Sequence, residues 1–418
     1  MPLSIWTDVL LRQLEIEKNI NMQLGFINFN IEEKKRVAKM MQLLQESEAI
    51  EELGIGRVRD HFSNTLFPGT STLQHHAKYF VVLPSLYYHL AFKSKRFQTT
   101  DEVSRCIKEA EVQITRQLAE QADGTPKTDI TGITGINTYK EALADYRKYV
   151  KYDPAYIYGS GLVRYGIIPD TGIERLILEL NNKYQFKGDD TEDTKELSGD
   201  KQVIKTSGER YDFFSGKTMD ITLSEIEASF LKARIQDTCK ETLLAFLIGN
   251  EDDIPAQIGY FEMDGLLHGL SPDILDVYRK SVLFSKLMHL IDWRFNYAYY
   301  DSFDKAEEAG KCNEEYELLF AEYKDAIADR SAYKSLFGYI CCIDPLLTEF
   351  CEACYKCIMS NDKHRVDQLV KTRERTVKRE RSKIGNKDYS NQGRGKPAPN
   401  TFRWETVRTM VNEMRNPE

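Results

Sequence analysis

Apolar residues recur three to four positions apart over most of this chain, the spacing of helices with one buried face. Val103, Ile107, Ile114 and Leu118 mark such a face between residues 101 and 120, with Asp101 near its start. A helix from about Arg57 to Thr65 buries Val58 and Phe62, and Pro68-Gly69 ends it. Thr70 or Ser71 is placed to cap the next helix, which carries Leu73, Ala77, Phe80, Val81, Leu83 and Leu86 and is kinked or divided at Pro84. Ser224 with Glu227 reads as a helix cap, and Ser271-Pro272 opens a long helix with proline at its first position. Further helices are predicted across 315–347 and 348–360. Residues 23–29 alternate enough to suggest a strand, and Asn30 with Glu33 suggests a capping box after it. The segment from Tyr152 to Asp170 reads as turn-rich, packed through four aromatic rings. The expected fold is mainly α, with multi-helix domains and a few short strands.

Composition changes along the chain suggest its division. Residues 187–200 hold six acidic side chains and almost nothing apolar, the mark of a solvated linker. The expected organisation is a helical domain over 1–186, a linker over 187–205, and a second helical domain over 206–360. A basic helix, a loose Gly/Pro segment and a terminal helix then occupy 361–418.

The 418 residues carry 57 Lys+Arg against 65 Asp+Glu, a formal charge of -8. That balance excludes a protein that wraps nucleic acid with its whole surface, and leaves room for a local basic patch. No run of eighteen apolar residues occurs, so no membrane span is expected. The amino-terminal residues have one apolar run without a basic leader and do not read as a signal peptide. Five of the eight cysteines fall between 341 and 357, which is unlike a secreted disulfide framework, so a cytoplasmic protein is expected.

Two blocks of residues carry a resemblance. Leu53-Gly54-Ile55-Gly56, Arg59-Asp60, Phe62-Ser63 and Leu66-Phe67-Pro68-Gly69-Thr70-Ser71-Thr72 form the first, continued by Ala77-Lys78-Tyr79-Phe80. Tyr156-Ile157-Tyr158-Gly159-Ser160-Gly161-Leu162 with Tyr165-Gly166-Ile167 form the second. Together they resemble DUF6361, a family of uncharacterised prokaryotic proteins. The resemblance implies no activity. It implies a setting beside helicase- or nuclease-like proteins in antiviral defence regions.

Several groups could carry chemistry. Arg59 and Asp60, next to a glycine break, could clamp a phosphate and hold a base or metal, or could simply pair and shape the turn that follows. His76-Ala77-Lys78 matches the start of the phospholipase-D nuclease motif, but Leu83 holds the place of its aspartate. A helix-turn-helix across 57–88 has suitable lengths and too apolar a second helix. Cys351, Cys354 and Cys357 have Cys-x2-Cys-x2-Cys spacing, which suits a cluster, yet one helical face would bury all three as small hydrophobes. No cofactor is called for.

The strongest charge feature lies between 361 and 400, where twelve basic residues meet five acidic ones. Arg375, Lys378, Arg379 and Lys383 are spaced to face outward together, and such side chains bind phosphates without reading bases. Glu374 and Glu380, interleaved with them, could instead lace the helix with salt bridges. Three functions stay open. The first is a non-catalytic component of a prokaryotic antiviral defence assembly, touching nucleic acid non-specifically or through helicase or nuclease partners. The others are a nuclease or nuclease cofactor with its site near Arg59 and Asp60, and a purely structural adaptor.

Overall fold

A computed structural model describes residues 52–122, 132–186, 203–214, 219–250 and 254–418. The expected strand at 23–29 and the Asn30–Glu33 box lie outside these residues, as does the acidic stretch up to 202. The described residues contain helices and no strand, so the few short strands expected from the sequence are not found there. Ile204, at the end of the expected linker, is buried, and the Lys205 amide donates to Ile167 O at 2.9 Å.

The first half of the fold is arranged around one apolar helix. α1 spans Gly56–Leu66, α2 Tyr79–Phe92, α3 Thr100–Ala122, α4 Tyr139–Ala142, α5 Pro154–Arg164 and α6 Ile173–Phe186. α2 packs against α3, α5 and α6, and its residues Tyr79 to Tyr87 are all buried. It runs through Pro84 undivided, and it starts at Tyr79, seven or eight residues later than the Ser71 or Thr70 cap would place it. Neither hydroxyl caps it: Thr70 Oγ1 donates to Phe67 O at 2.6 Å, and Leu73 is exposed. The stretch from 152, expected to be turn-rich, is helical because Asp153 caps it (Tyr156 N at 2.9 Å) and Pro154 needs no amide partner there.

Two glycines explain how the motif blocks meet. Gly69 has φ +78, and a side chain on it would strike the Tyr165 ring at 2.8 Å. A side chain at Gly161 would lie 2.5 Å from Gly69 O and 2.6 Å from the Phe80 ring. The turn after α1 therefore seats directly on α5, and Tyr165 Oη donates to Pro68 O at 3.2 Å.

α7 (Glu225–Thr238) and α8 (Leu243–Gly249) follow, with the Ser224–Glu227 capping box in place. α9 (Pro272–Asp301) opens on Ser271 and Pro272 as its sequence predicts, and 18 of its 30 residues are buried. It is the central helix of the second half: α10 (Ala306–Ala328), α11 (Arg330–Cys341), α12 (Pro345–Met359), α13 (Lys363–Lys378) and α1 all pack on it. α14 (Trp404–Arg415) closes on α7 and α8. Buried side chains from Leu53 to Met414 form one continuous core cluster. No helix among the described residues is long and apolar enough to cross a membrane.

Glu111, on α3, is fully buried. Its Oε1 accepts from Ala155 N at 2.6 Å and caps α5, while its Oε2 has no hydrogen-bond partner among the described residues. Burial, reinforced by the nearby Asp153 charge, pushes its carboxyl well above the usual range, so it keeps its proton. The folded state thus holds a proton that the unfolded chain releases above about pH 4.3. Stability conferred by this group is full below that pH and falls as pH rises toward the folded value. Glu111→Gln keeps the acceptor and removes the titration. Urea unfolding between pH 5 and 9 should show stability declining with pH in the wild type and a flatter profile in the variant.

Candidate nucleic-acid interface

α13 presents the basic segment in two halves. Asp362 caps its start, accepting from Arg365 N at 3.0 Å. Val366, Val370 and Glu374 face inward, which turns Arg375 to solvent and leaves Lys371 half-exposed. The helix ends at Lys378, and Arg379, with φ +52, redirects the chain. Arg375, Arg379, Arg381 and Lys387 are exposed, and none of them forms an ion pair among the described residues.

The other half of the charge is used inside. Lys383, expected to face outward, pairs instead with Glu52 at 2.9 Å, and Arg394 reaches the same oxygen at 3.0 Å. Burial alone would raise the Glu52 carboxyl; Lys383 and Arg394 outweigh it and hold it at about 2. Lys378 is half-buried, and burial lowers its ammonium pKa. Glu374 does not lace the helix surface. It is fully buried and accepts from Lys383 N at 2.6 Å and Ile384 N at 3.1 Å, fixing the reversal after α13. Asp292 of α9 completes this cluster, pushed up to about 7 by burial and by the Glu52 charge. The Gly/Pro segment, read from sequence as loose, lies along α9. Asn296 Nδ2 donates to Gly395 O at 2.9 Å, and His289 Nε2 lies 3.2 Å from Pro397 O. Of the four residues singled out by spacing, Arg375 and Arg379 are exposed, Lys378 is half-buried and Lys383 is turned inward.

Asp60 is half-exposed between Arg59 Nε at 3.3 Å and Arg403 Nη2 at 3.9 Å. Arg403 also donates to Asn64 Oδ1 at 2.8 Å and Thr70 O at 2.6 Å, so this group ties the carboxyl-terminal segment to α1 and its turn. No second carboxylate joins Asp60 in an ion pair or hydrogen bond among the described residues. Cys351 and Cys354 are buried on α12, and Cys357 is partly buried. Cys351 Sγ lies 3.9 Å from Met288 Sδ, and burial pushes its thiol up to about 12, so it packs here as a small apolar group. No group of three or more His, Cys, Asp or Glu among the described residues is arranged to hold a metal.

The His76-Ala77-Lys78 triplet is a junction rather than a nuclease half-site. Glu413, from α14, accepts from the Ala77 amide at 2.7 Å and sits 2.7 Å from His76 Nδ1. Its carboxylate thus lies just ahead of α2, on the side where an anion complements the helix dipole. Lys78 Nζ donates to Glu227 Oε2 at 2.8 Å and Thr222 O at 2.9 Å, in a pair that is almost wholly buried. Tyr211 and the Ser224 amide complete the shell of Glu227. The helix-turn-helix reading fails here, because the face a recognition helix would show to DNA is the buried face of α2.

This junction and the glycine contacts lie where the motif blocks meet, and a family model matches residues 22–264, more than half of the chain. The chain belongs to DUF6361, a family of unknown function. No curated protein and no solved structure matches it. The matched part of this DUF6361 protein holds α1 to α8 and the Lys78–Glu227 pair, while α9 to α14 and the basic strip lie beyond it. Glu52 and Glu413 escaped sequence reasoning. Each is a single acid with no local motif, and only the fold supplies its partners. Lys78→Met leaves Glu227 buried without its cation, which should cost about 3–5 kcal/mol. Urea unfolding measures that loss, and a cost under about 1 kcal/mol would show that Tyr211 and the Ser224 amide suffice.

Proposed function

We propose that this protein is a non-catalytic component of a prokaryotic antiviral defence assembly, acting in the cytoplasm and contacting nucleic acid through the outward face of α13 and the turn after it. The observation that carries the nucleic-acid reading is the row Arg375, Arg379, Arg381 and Lys387, exposed and without carboxylate partners among the described residues. Long cations free of internal partners suit phosphates, whose contacts position a protein without reading sequence. The -8 charge of the whole chain would repel a duplex elsewhere and confine contact to this strip. The defence setting, and helicase- or nuclease-like partners within it, rest on the family resemblance alone. The nuclease alternative near Arg59 and Asp60 is the weaker reading, because Asp60 lies between two arginines and pairs with no second carboxylate among the described residues.

A titration of duplex DNA against salt tests the reading. If four cations reach phosphates at once, log affinity should fall against log salt with a slope of about -3.6, or roughly 150-fold for a fourfold rise in salt. Arg375→Glu with Arg379→Glu and Arg381→Glu should remove most of this binding and leave unfolding unchanged. Lys383→Glu should do the reverse, destabilising the fold by setting an acid against Glu52. No binding by the wild type below ~10 μM at low salt would overturn the proposal.

A further inference from the structure

α11 and α12 pack side by side and leave between them a groove of about 710 Å³, within the roughly 300–1,000 Å³ typical of small-molecule sites. It lies outside the family-matched residues and takes no side chain from the α13 strip. Its floor is apolar: Phe337, Tyr355 and Met359. The Tyr355 hydroxyl is already engaged, donating to Ile327 O at 2.9 Å, and its ring stacks on Tyr333 at 4.4 Å. The polar rim is mostly positive. Arg330 and Lys334 stand one turn apart on α11, both exposed and neither in an ion pair among the described residues. Lys356 faces them from α12, paired with Glu352 at 3.5 Å. Like charges one helical turn apart repel each other, and an anion between them relieves that repulsion. Gly338 sits between Lys334 and Cys341 on the same wall, and a Cβ there would meet nothing within 4 Å. The middle of the groove is therefore open. From Arg330 to Cys341 the wall rises roughly 16 Å, the length of a nucleotide-sized ligand rather than of a duplex.

We propose that this groove binds a small anion carried on an apolar body, the charged group resting between Arg330, Lys334 and Lys356 and the body lying on Phe337, Tyr355 and Met359. Two sources share that chemistry, a nucleoside monophosphate and an alkyl phosphate. The probe is 8-anilinonaphthalene-1-sulfonate, an aromatic sulfonate that fluoresces when it leaves water. One saturable site is expected in the full-length protein, and displacement by adenosine monophosphate or by dodecyl phosphate identifies the source. Arg330→Gln with Lys334→Gln should weaken probe and competitor by about tenfold or more. Gly338→Leu, which fills the groove without touching a charge, should do the same, with circular dichroism unchanged in both variants. DNA binding through α13 should be unaffected, so the two sites fail or succeed independently. The proposal is overturned by the absence of a saturable site, by failure of both competitors at about 1 mM, or by probe binding that neither variant alters.

Discussion

A carboxylate taken out of water must find a cation or several amides, because its desolvation costs several kcal/mol otherwise. Among the described residues, Glu413, Glu227, Glu52 and Glu374 meet that demand with partners far away in the chain or across a turn, and so does Asp367 with Arg294. Glu413 sits just ahead of α2, 336 residues upstream, and Glu227 on Lys78. Glu52 takes Lys383 and Arg394, and Glu374 takes the two amides that follow α13. These contacts draw the last forty residues across the body and set α14 against α7 and α8. The aromatic packing under Trp404, whose ring stacks on Phe67 at 5.8 Å, depends on that placement.

The same demand sorts the positive charges. Twelve basic residues lie between 361 and 400, but the fold's own acids claim Lys363, Lys383, Arg394 and Lys396. What remains for a partner is the shorter strip around Arg375, Arg379 and Arg381. Titration bears on this division from both sides. Glu52, held at about 2, stays charged across the physiological range and keeps its cations. Asp292, raised to about 7, changes charge near neutrality beside that cluster. Its raised value means that the stability linked to its protonation is full below about pH 3.9 and is lost as pH climbs through 7.

Much of the fold could be read from the sequence where local rules govern. The Ser224–Glu227 box, the Ser271-Pro272 start of α9 and the stripe of α3 depend on residues a few positions apart. Expectations failed where tertiary contacts override local ones. The hydroxyls at 70–71 look like a cap for α2, yet no side chain caps its first turn, and the distant Glu413 takes the Ala77 amide just before it. Lys383 shares helical spacing with Arg379, yet the helix ends first at Lys378 and the chain turns inward. Glu374 looked like a surface acid because its charge was visible in the sequence and its burial was not. The cysteines followed the opposite course: their spacing allowed a cluster, and the apolar residues around them pointed to the packing that the structure shows.

Residues 382–396 form a fastened strap whose inward charges, Lys383 and Arg394, are spent on Glu52, while the proposed phosphate contacts fall to the exposed Arg375, Arg379 and Arg381. Amide hydrogen exchange, read by peptide with and without a short duplex at low salt, tests both parts at once. Lys383 and Ile384 should be protected in the protein alone, as donors to Glu374, and the duplex should slow exchange at 375–381 without altering 383–394. Exchange at 383–394 at the rate of an unstructured chain, or protection by the duplex that falls on the strap and not on the strip, would contradict it.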